Sequence, residues 1–156
     1  STVTSELAAG GYWAVDLDNA DFSEWVAVTA DEVNIPGTPV EADRDWVWRE
    51  DRVQALLAKD TGDLLFVSGS ASNMGKFVPQ FDRIILFSAP PAVIVERLAT
   101  RTTNSYGKQP AEVERVLDLI DTVEPLLRRI ATDEIDTSTD LEEVMGMVVA
   151  IAARLE

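Results

Sequence analysis

The stretch that decides the predicted fold is the opening Ser1-Thr2-Val3-Thr4-Ser5-Glu6-Leu7-Ala8-Ala9-Gly10-Gly11. Val3 and Leu7 are spaced i, i+4, which favours a short amphipathic helix, and Gly10 is a residue type that ends helices. Residues 12–16 follow at once and predict a strand. A helix followed by a strand is the second half of a βαβ unit, so this order predicts a parallel α/β sheet with one more strand upstream of Ser1.

Further strands are predicted from short apolar runs along the chain. Residues 64–67 and 84–87 are continuous apolar runs bounded by glycine, aspartate or proline, which is typical of strands covered on both faces. Residues 132–136 predict a weaker last strand. Between the first strand and these runs, a helical turn is expected at residues 21–30 and a surface loop at residues 31–45.

The remaining segments predict helices. Amphipathic spacing favours helices at residues 46–58, 93–101 and 141–153. A long helix should begin at Pro110, because proline is favoured at the first helical position. Pro125 should kink or divide that helix, because proline in a helix interior removes a hydrogen bond.

Strands that alternate with helices predict a single α/β domain over residues 1–154, with helices on both faces of a parallel sheet. Four strands are found in the printed sequence. The first helix lacks the strand from which it should return, so a five-stranded sheet is expected, with its first central strand upstream of Ser1. Leu155-Glu156 resembles a cloning scar and is left out of the fold.

Composition excludes several classes of function. The chain has 13 basic and 28 acidic residues and a net charge of −15. A partner nucleic acid is therefore not expected, because its phosphates are bound mainly by Lys and Arg. Because the chain has no Cys and no His, thiol nucleophiles, Cys/His zinc sites and Ser-His-Asp triads are excluded. No apolar run approaches the length of a membrane span, so a cytoplasmic protein without a membrane partner is expected.

Two carboxylates end the first predicted strand, in the order Asp16-Leu17-Asp18. Their spacing of two places both side chains on one side of an extended segment. They could orient a hydroxyl acceptor or hold a water of Mg²⁺, which prefers carboxylates and keeps much of its hydration. Alternatively, Asp18 or Asp21 caps the next turn.

The second predicted core strand runs into Ser68-Gly69-Ser70-Ala71-Ser72-Asn73-Met74-Gly75-Lys76. This stretch is close to a Walker A loop, but it has one residue too many before Gly-Lys, and Phe77 replaces the Ser/Thr. It is therefore not interpreted as the phosphate loop. Gly69 and Asn73 remain candidates for substrate contact, since a glycine allows close approach to the backbone. A simple strand-to-helix loop is the alternative.

Arginines are the candidate phosphate ligands. Arg97 and Arg101 are i, i+4 on one predicted helix, where like charges repel, so an anion is expected near them. Arg128 is a weaker candidate, because cations at a helix C-terminus are favoured in any case. Residues 102–110 lie between these arginines and could form a lid that excludes water from a transferred phosphoryl group. A solvated helix connection is the alternative.

Taken together, these segments resemble a P-loop NTPase of the nucleoside monophosphate kinase and shikimate kinase type, in particular the small bacterial AAA-named ATP-binding proteins. Ser1-Thr2 resembles the end of Walker A, and residues 135–138 are similar to the segment that borders adenine. Residues 16–18, residues 67–69 and the Arg97–Arg101 pair occur in the matching order.

The resemblance implies ATP-dependent phosphoryl transfer with Mg²⁺ to a small-molecule or nucleotide acceptor, by a monomer or homodimer. It implies catalytic roles for Asp16, Asp18, Arg97 and Arg101, and acceptor contacts from Asp18, Gly69 and Asn73. Mg²⁺ would be bound by Ser1 and Asp16. ATP would contact Ser1, Thr2, Arg97, Arg128, Asp136 and Thr137. The Gly-x-x-x-x-Gly-Lys motif is not in the printed sequence and is expected upstream. A non-catalytic nucleotide binder is the alternative, and a flavodoxin-like or Rossmann domain is a third.

Overall fold

A computed structural model describes residues 2–28, 44–59, 62–100 and 108–155. Contacts group the chain into two compact units, which are described separately. The first unit contains Ser1–Asp82 and Val149–Glu156, and the second unit contains Arg83–Val148.

The first unit opens with helix α1 (Thr2–Ala9) and strand β1 (Trp13–Asp16), as the sequence predicts. The helix ends in a Schellman motif, in which the Tyr12 N–H donates to the Leu7 carbonyl at 3.0 Å and the Gly11 N–H donates to the Ala8 carbonyl at 3.1 Å. Gly11 has φ +89°, so it is the residue that needs the left-handed conformation. The chain thereby reverses, and α1 packs against β1.

Strand β4 (Leu65–Ser68) lies parallel to β1, with Trp13 opposite Leu65 and Asp16 opposite Ser68. Parallel strands end at the same edge, so the last residues of both strands are neighbours. This carboxyl edge of β1 and β4 is the edge at which ligands bind in open α/β sheets.

An antiparallel ribbon completes the strands of the first unit. It consists of β2 (Ser23–Ala27) and β3 (Arg44–Trp48), with Trp25 opposite Trp46. The predicted helical turn at residues 21–30 is therefore wrong. The helix predicted from residue 46 is also wrong at its start, because α2 spans only Glu50–Leu57. Cross-strand aromatic pairing stabilises the ribbon, and the local sequence pattern does not reveal such a pair.

The core of the first unit lies between the ribbon, α2 and the turns that follow β4. Its buried side chains are Leu17, Trp48, Val53, Leu56 and Phe77. Two short 3₁₀ turns, Met74–Lys76 and Val78–Gln80, bring Phe77 into this cluster. The Trp48 and Phe77 rings are 5.8 Å apart.

The second unit contains a second parallel pair, β5 (Ile85–Ser88) and β6 (Asp133–Asp136). Its helices are α3 (Pro91–Thr100), α4 (Pro110–Thr122) and α5 (Glu124–Ile130). Both proline predictions are confirmed, because Pro110 is the first residue of α4 and the long helix is divided just before Pro125. Helix α6 (Leu141–Ala153) closes the described chain and buries Val144 and Val148.

The predicted five-stranded parallel sheet of a P-loop NTPase fold is wrong. Across the described ranges, the strands form three two-stranded sheets, of which β1–β4 and β5–β6 are parallel and β2–β3 is antiparallel. The result is a small mixed α/β arrangement. The apolar run of β4 is only half-buried, so the expectation of a strand covered on both faces also fails. Apolar periodicity identifies a strand, but it does not specify which strand hydrogen-bonds to each of its edges.

None of the helices that the structure describes combines the length and the apolar character needed to cross a bilayer.

Candidate functional site

The strongest candidate site is the carboxyl edge of β1 and β4, where the first turn of α1 also lies. The Thr4 hydroxyl donates a hydrogen bond to Ser68 Oγ at 2.7 Å. Thr4 is buried, and Ser68 in turn hydrogen-bonds to the carboxylate of Asp16. One chain of hydrogen bonds therefore connects the N-terminal turn of α1 to the last residue of each parallel strand.

Asp16 is held in its charged form at this edge. Burial raises the pKa of Asp16, hydrogen bonds from the Asp18 N–H and Ser68 contribute to lowering it, and the pKa lies below its usual value. The Asp18 N–H donates to Asp16 Oδ1 at 2.9 Å. The Asp16 carboxylate thus accepts a bond from the turn that follows β1, and the expectation that both carboxylates share one side of an extended segment stays a prediction.

The alternative role of Asp18 or Asp21 as a turn cap is filled by another residue. Asn19 Oδ1 accepts a hydrogen bond from the Asp21 N–H at 2.9 Å, and the Asn19 carbonyl accepts one from the Ser23 N–H at 2.8 Å. Asn19 thus closes the turn after β1. Asp18 is exposed, and its side chain is directed by a different partner.

That partner is Trp46, which the sequence analysis did not identify as a site residue. Its indole Nε1–H donates to Asp18 Oδ1 at 2.6 Å. The Trp46 ring lies 5.1 Å from the Trp25 ring at an interplanar angle of 59°. The Arg44 guanidinium lies 4.0 Å from the centroid of the Trp25 ring. The sequence contains one signal for this contact, a tryptophan in each of two short segments. That signal can be used only when the pairing of the two segments is known.

Gly69 and Asn73, the predicted substrate residues, make contacts with their own chain. A Cβ at Gly69 would lie 3.3 Å from Leu17 Cβ and 3.5 Å from Trp48 Nε1, and Gly69 has φ +139°. Asn73 accepts a hydrogen bond from the Trp48 N–H at 3.1 Å and donates to the Trp48 carbonyl at 3.0 Å. These contacts give both residues a structural function, and their contact with a substrate stays a prediction.

An open cleft of about 580 Å³ lies on the other face of the ribbon. It is lined mainly by apolar and acidic side chains: Glu24, Val26, Ala27, Val28, Asp45, Val47, Trp48, Glu50, Asp51, Ser72, Asn73 and Lys76. Several of its carboxylates are engaged within the chain.

Three of the four acidic lining residues make such contacts. Glu24 pairs with Arg49 at 2.8 Å, Glu50 pairs with Lys76 at 3.0 Å, and Asp45 Oδ2 accepts from the Ser72 hydroxyl at 2.5 Å. Hydrogen bonds from Asn73 and Lys76 lower the pKa of Glu50. Most of the charges that line the cleft are thus paired within the chain.

In the second unit, Arg97, Asp136 and Thr137 lie together at the carboxyl edge of β5 and β6. Arg97 Nη1 donates to Thr137 Oγ1 at 2.9 Å, and Nη2 donates to the Thr137 carbonyl. Asp136 Oδ1 accepts from the N–H and the hydroxyl of Ser138, and these bonds lower the pKa of Asp136. The predicted adenine-bordering segment and the predicted phosphate ligand Arg97 are therefore neighbours.

Arg128 is engaged by two carboxylates. Its Nε donates to Glu134 Oε1 at 2.7 Å and its Nη2 donates to Glu124 Oε1 at 2.8 Å. These bonds raise the pKa of Arg128, so it stays charged. The hydrogen bonds that Arg128 and Ser88 donate to the Glu134 carboxylate lower the pKa of Glu134.

Several predicted site residues lie outside this description or apart from the edge contacts. Ser1, Arg101 and residues 102–107 of the predicted lid lie outside the described residues. Thr2 is the exposed first residue of α1. Within the described ranges, no group of three or more Asp or Glu side chains is placed to hold a metal ion.

Comparison with known proteins found no match: no family model, no curated protein and no solved structure matches the chain.

Proposed function

We propose that this protein transfers the γ-phosphoryl group of ATP to a hydroxyl group of a small acceptor, at the carboxyl edge of β1 and β4. The observation that carries the proposal is the hydrogen-bonded series Thr4, Ser68, Asp16. It brings a helix N-terminus, which favours anions, to the same edge as two carboxylates, which favour metal and acceptor.

The first turn of α1 supports the proposed binding of the ATP phosphates. The first backbone N–H groups of a helix have no partner within the helix and carry partial positive charge, so they bind phosphate oxygens. Thr2 is exposed and adds a hydroxyl group at this turn, whereas the hydroxyl of the buried Thr4 already donates to Ser68.

The donor set at this edge fits Mg²⁺ bound together with phosphates. Mg²⁺ is commonly held by one or two carboxylates with substrate phosphates and water, so a cluster of three carboxylates is not required. Asp16 is the described carboxylate for this purpose, because its pKa lies below the usual value and it is therefore charged at neutral pH. When bound, Mg²⁺ would supply charge neutralisation between Asp16 and the phosphates.

Asp18 is the proposed base. It is exposed, and the Trp46 indole N–H fixes the direction of its carboxylate. In the transfer, the acceptor hydroxyl oxygen bonds to the γ-phosphorus, and the bond from that phosphorus to its bridging oxygen breaks. ADP leaves with the electrons of the broken bond, and the hydroxyl proton passes to Asp18.

The second candidate is a nucleotide-binding protein without useful catalysis. One observation favours it: Arg97 and Arg128 are held by Thr137 and by two glutamates. Both candidates place phosphates at α1, and they differ in whether Asp18 acts on an acceptor.

The test compares Asp18→Asn with the matched control Asp82→Asn in an ATP-consumption assay with a panel of small hydroxyl compounds. Asp82 is exposed, and the described part of the chain offers it no hydrogen bond or ion pair. Asp18→Asn should lower turnover by about 10² or more, since loss of a general base commonly costs that much. The control should retain turnover.

The outcomes separate the two candidates. Equal turnover in Asp18→Asn and the unmodified protein would remove Asp18 from the mechanism. Stabilisation by MgATP with no turnover on any acceptor would support the non-catalytic binder. Absence of both stabilisation and turnover would contradict both candidates.

A further inference from the structure

One face of the β2–β3 ribbon carries an aromatic pair next to the proposed base. Trp25 and Trp46 are register partners on adjacent strands, and Trp25 is 41% exposed. Large apolar side chains are usually buried, so the exposed Trp25, tilted against the half-buried Trp46, indicates a binding surface. We call Trp25 and Trp46 the tryptophan pair.

The tryptophan pair already binds a cation from its own chain. The Arg44 guanidinium lies over the Trp25 ring, 4.0 Å from its centroid. A cation within about 6 Å of a tryptophan face is attracted by the ring quadrupole, and tryptophan is the best aromatic residue for this contact. Arg44 thus shows which chemical group the surface favours, and it would compete with a ligand cation for the Trp25 face.

The charge around the tryptophan pair also favours a cation. Trp46 Nε1 lies 2.6 Å from Asp18 Oδ1, and Asp18 contacts Asp16 through its backbone N–H. The chain as a whole carries a net charge of −15. The Asp18 carboxylate would attract an ammonium group.

We propose that the acceptor is an amino alcohol, an organic ammonium compound that carries a hydroxyl group. The inference rests on the proposed function, since it identifies the acceptor class of the same site. The tryptophan pair holds the ammonium group, and Asp18 receives the hydroxyl proton. Trp46 Nε1 lies 2.6 Å from Asp18 Oδ1, so the tryptophan pair and the proposed base are adjacent, and choline, a short amino alcohol, is the probe.

Binding is tested without ATP, by titrating the full chain with choline chloride and following tryptophan fluorescence. The control ligand is the neutral carbon isostere of choline, in which a tert-butyl group replaces the trimethylammonium group. Choline should bind at least about threefold more tightly, because only the cation interacts with the ring quadrupole. Equal binding of the isostere, or tighter binding of the nucleoside uridine, would overturn the inference.

Two variants and a control locate the site. Trp25→Leu should weaken choline binding at least about threefold. Arg44→Gln should tighten it, because the variant removes the competing cation and a positive charge. Trp13→Phe, in the half-buried strand β1, should leave it unchanged.

Melting curves identify any variant that fails to fold. If Trp25→Leu does not fold, choline binding by Arg44→Gln, a substitution at an exposed position, tests the inference by itself. Weaker or unchanged choline binding in Arg44→Gln would overturn the inference.

Melting with MgATP separates this inference from the proposed function. Stabilisation by MgATP without choline binding would overturn the amino-alcohol inference alone. Choline binding without stabilisation by MgATP would support the cation site and overturn the phosphoryl-transfer function.

Discussion

Two neighbouring glycines end helix α1, and they differ in what they contribute. Gly11 has φ +89°, and a Cβ added there would meet no atom within 4 Å. The destabilisation from replacing Gly11 would therefore come only from the backbone conformation. A Cβ at Gly10 would lie 3.5 Å from the Glu6 and Leu7 carbonyl oxygens, which is ordinary contact. The sequence pattern predicts the helix stop at Gly10, whereas the positive φ that closes the motif lies at Gly11.

Gly11→Ala should therefore destabilise the protein by about 1 kcal/mol, and Gly10→Ala should be close to neutral. Chemical denaturation of both variants, followed by tryptophan fluorescence, measures the difference. A larger loss for Gly10→Ala than for Gly11→Ala would contradict the helix end described here.

The Asn73 side chain hydrogen-bonds to both the backbone N–H and the backbone carbonyl of Trp48 in strand β3. Asn73→Ala would leave the N–H and the carbonyl of a buried residue without their partner, at a cost of about 1–3 kcal/mol. Ser70→Ala in the same loop is the control, because the exposed Ser70 hydroxyl makes only a 3.9 Å contact to Met74 Sδ. Urea unfolding should show a lower free energy of unfolding for Asn73→Ala and no change for Ser70→Ala. Equal unfolding midpoints would indicate that the Asn73 contacts do not stabilise β3.

Helix α5 and strand β6 are joined through charge. Arg128 on α5 bonds to Glu134 on β6, and the bonds from Arg128 and Ser88 lower the pKa of Glu134. A carboxyl whose pKa is lower in the folded state adds stability above its unfolded pKa. It loses that contribution as pH falls through the folded pKa.

Glu134→Gln should therefore lower the melting temperature at pH 7, and the difference from the unmodified protein should shrink as pH falls below the usual glutamate pKa of 4.5. Glu114→Gln on α4 is the control, since Glu114 is exposed and finds no partner among the described residues. Melting curves between neutral and acidic pH measure both. A pH-independent difference for Glu134→Gln would contradict the ionic link between α5 and β6.

At the scale of elements, sequence reasoning succeeds where the signal is local. Pro110 and Pro125 are fixed by backbone chemistry within a few residues, and both mark helix boundaries in the structure. The β2–β3 ribbon was not predicted, because it depends on Trp25 meeting Trp46 across residues whose own patterns indicated a turn and a helix. Asp16 and Asp18 were found from their spacing, but Trp46 could enter the site only through that ribbon.

For the whole molecule, the predicted sheet is wrong because strand existence and strand pairing are separate questions. Strands β1, β4, β5 and β6 all occur close to their predicted positions. Their hydrogen-bond partners depend on contacts between distant segments, which apolar periodicity does not encode. The described contacts divide the chain into two units, and this division provides a spectroscopic test of the proposed site.

All four tryptophans, Trp13, Trp25, Trp46 and Trp48, lie in the first unit. Tryptophan fluorescence therefore reports on the first unit, while far-ultraviolet circular dichroism reports on helices throughout the chain. MgATP bound at the first turn of α1 should stabilise the first unit, because a ligand that binds only the native state raises stability by mass action. The melting midpoint should therefore rise more by fluorescence than by circular dichroism.

The controls for this measurement are MgCl₂ alone and ATP with excess EDTA, both of which should produce a smaller shift than MgATP. Saturation at about 100 times the dissociation constant corresponds to about 2.7 kcal/mol, which is large enough to detect in a melting curve. If the circular-dichroism midpoint rises while the fluorescence midpoint does not, MgATP binds away from α1, and the site assigned to β1 and β4 is wrong. If the fluorescence shift is as large with MgCl₂ alone, the first unit binds the metal without phosphate, and the helix N-terminus is not an ATP site.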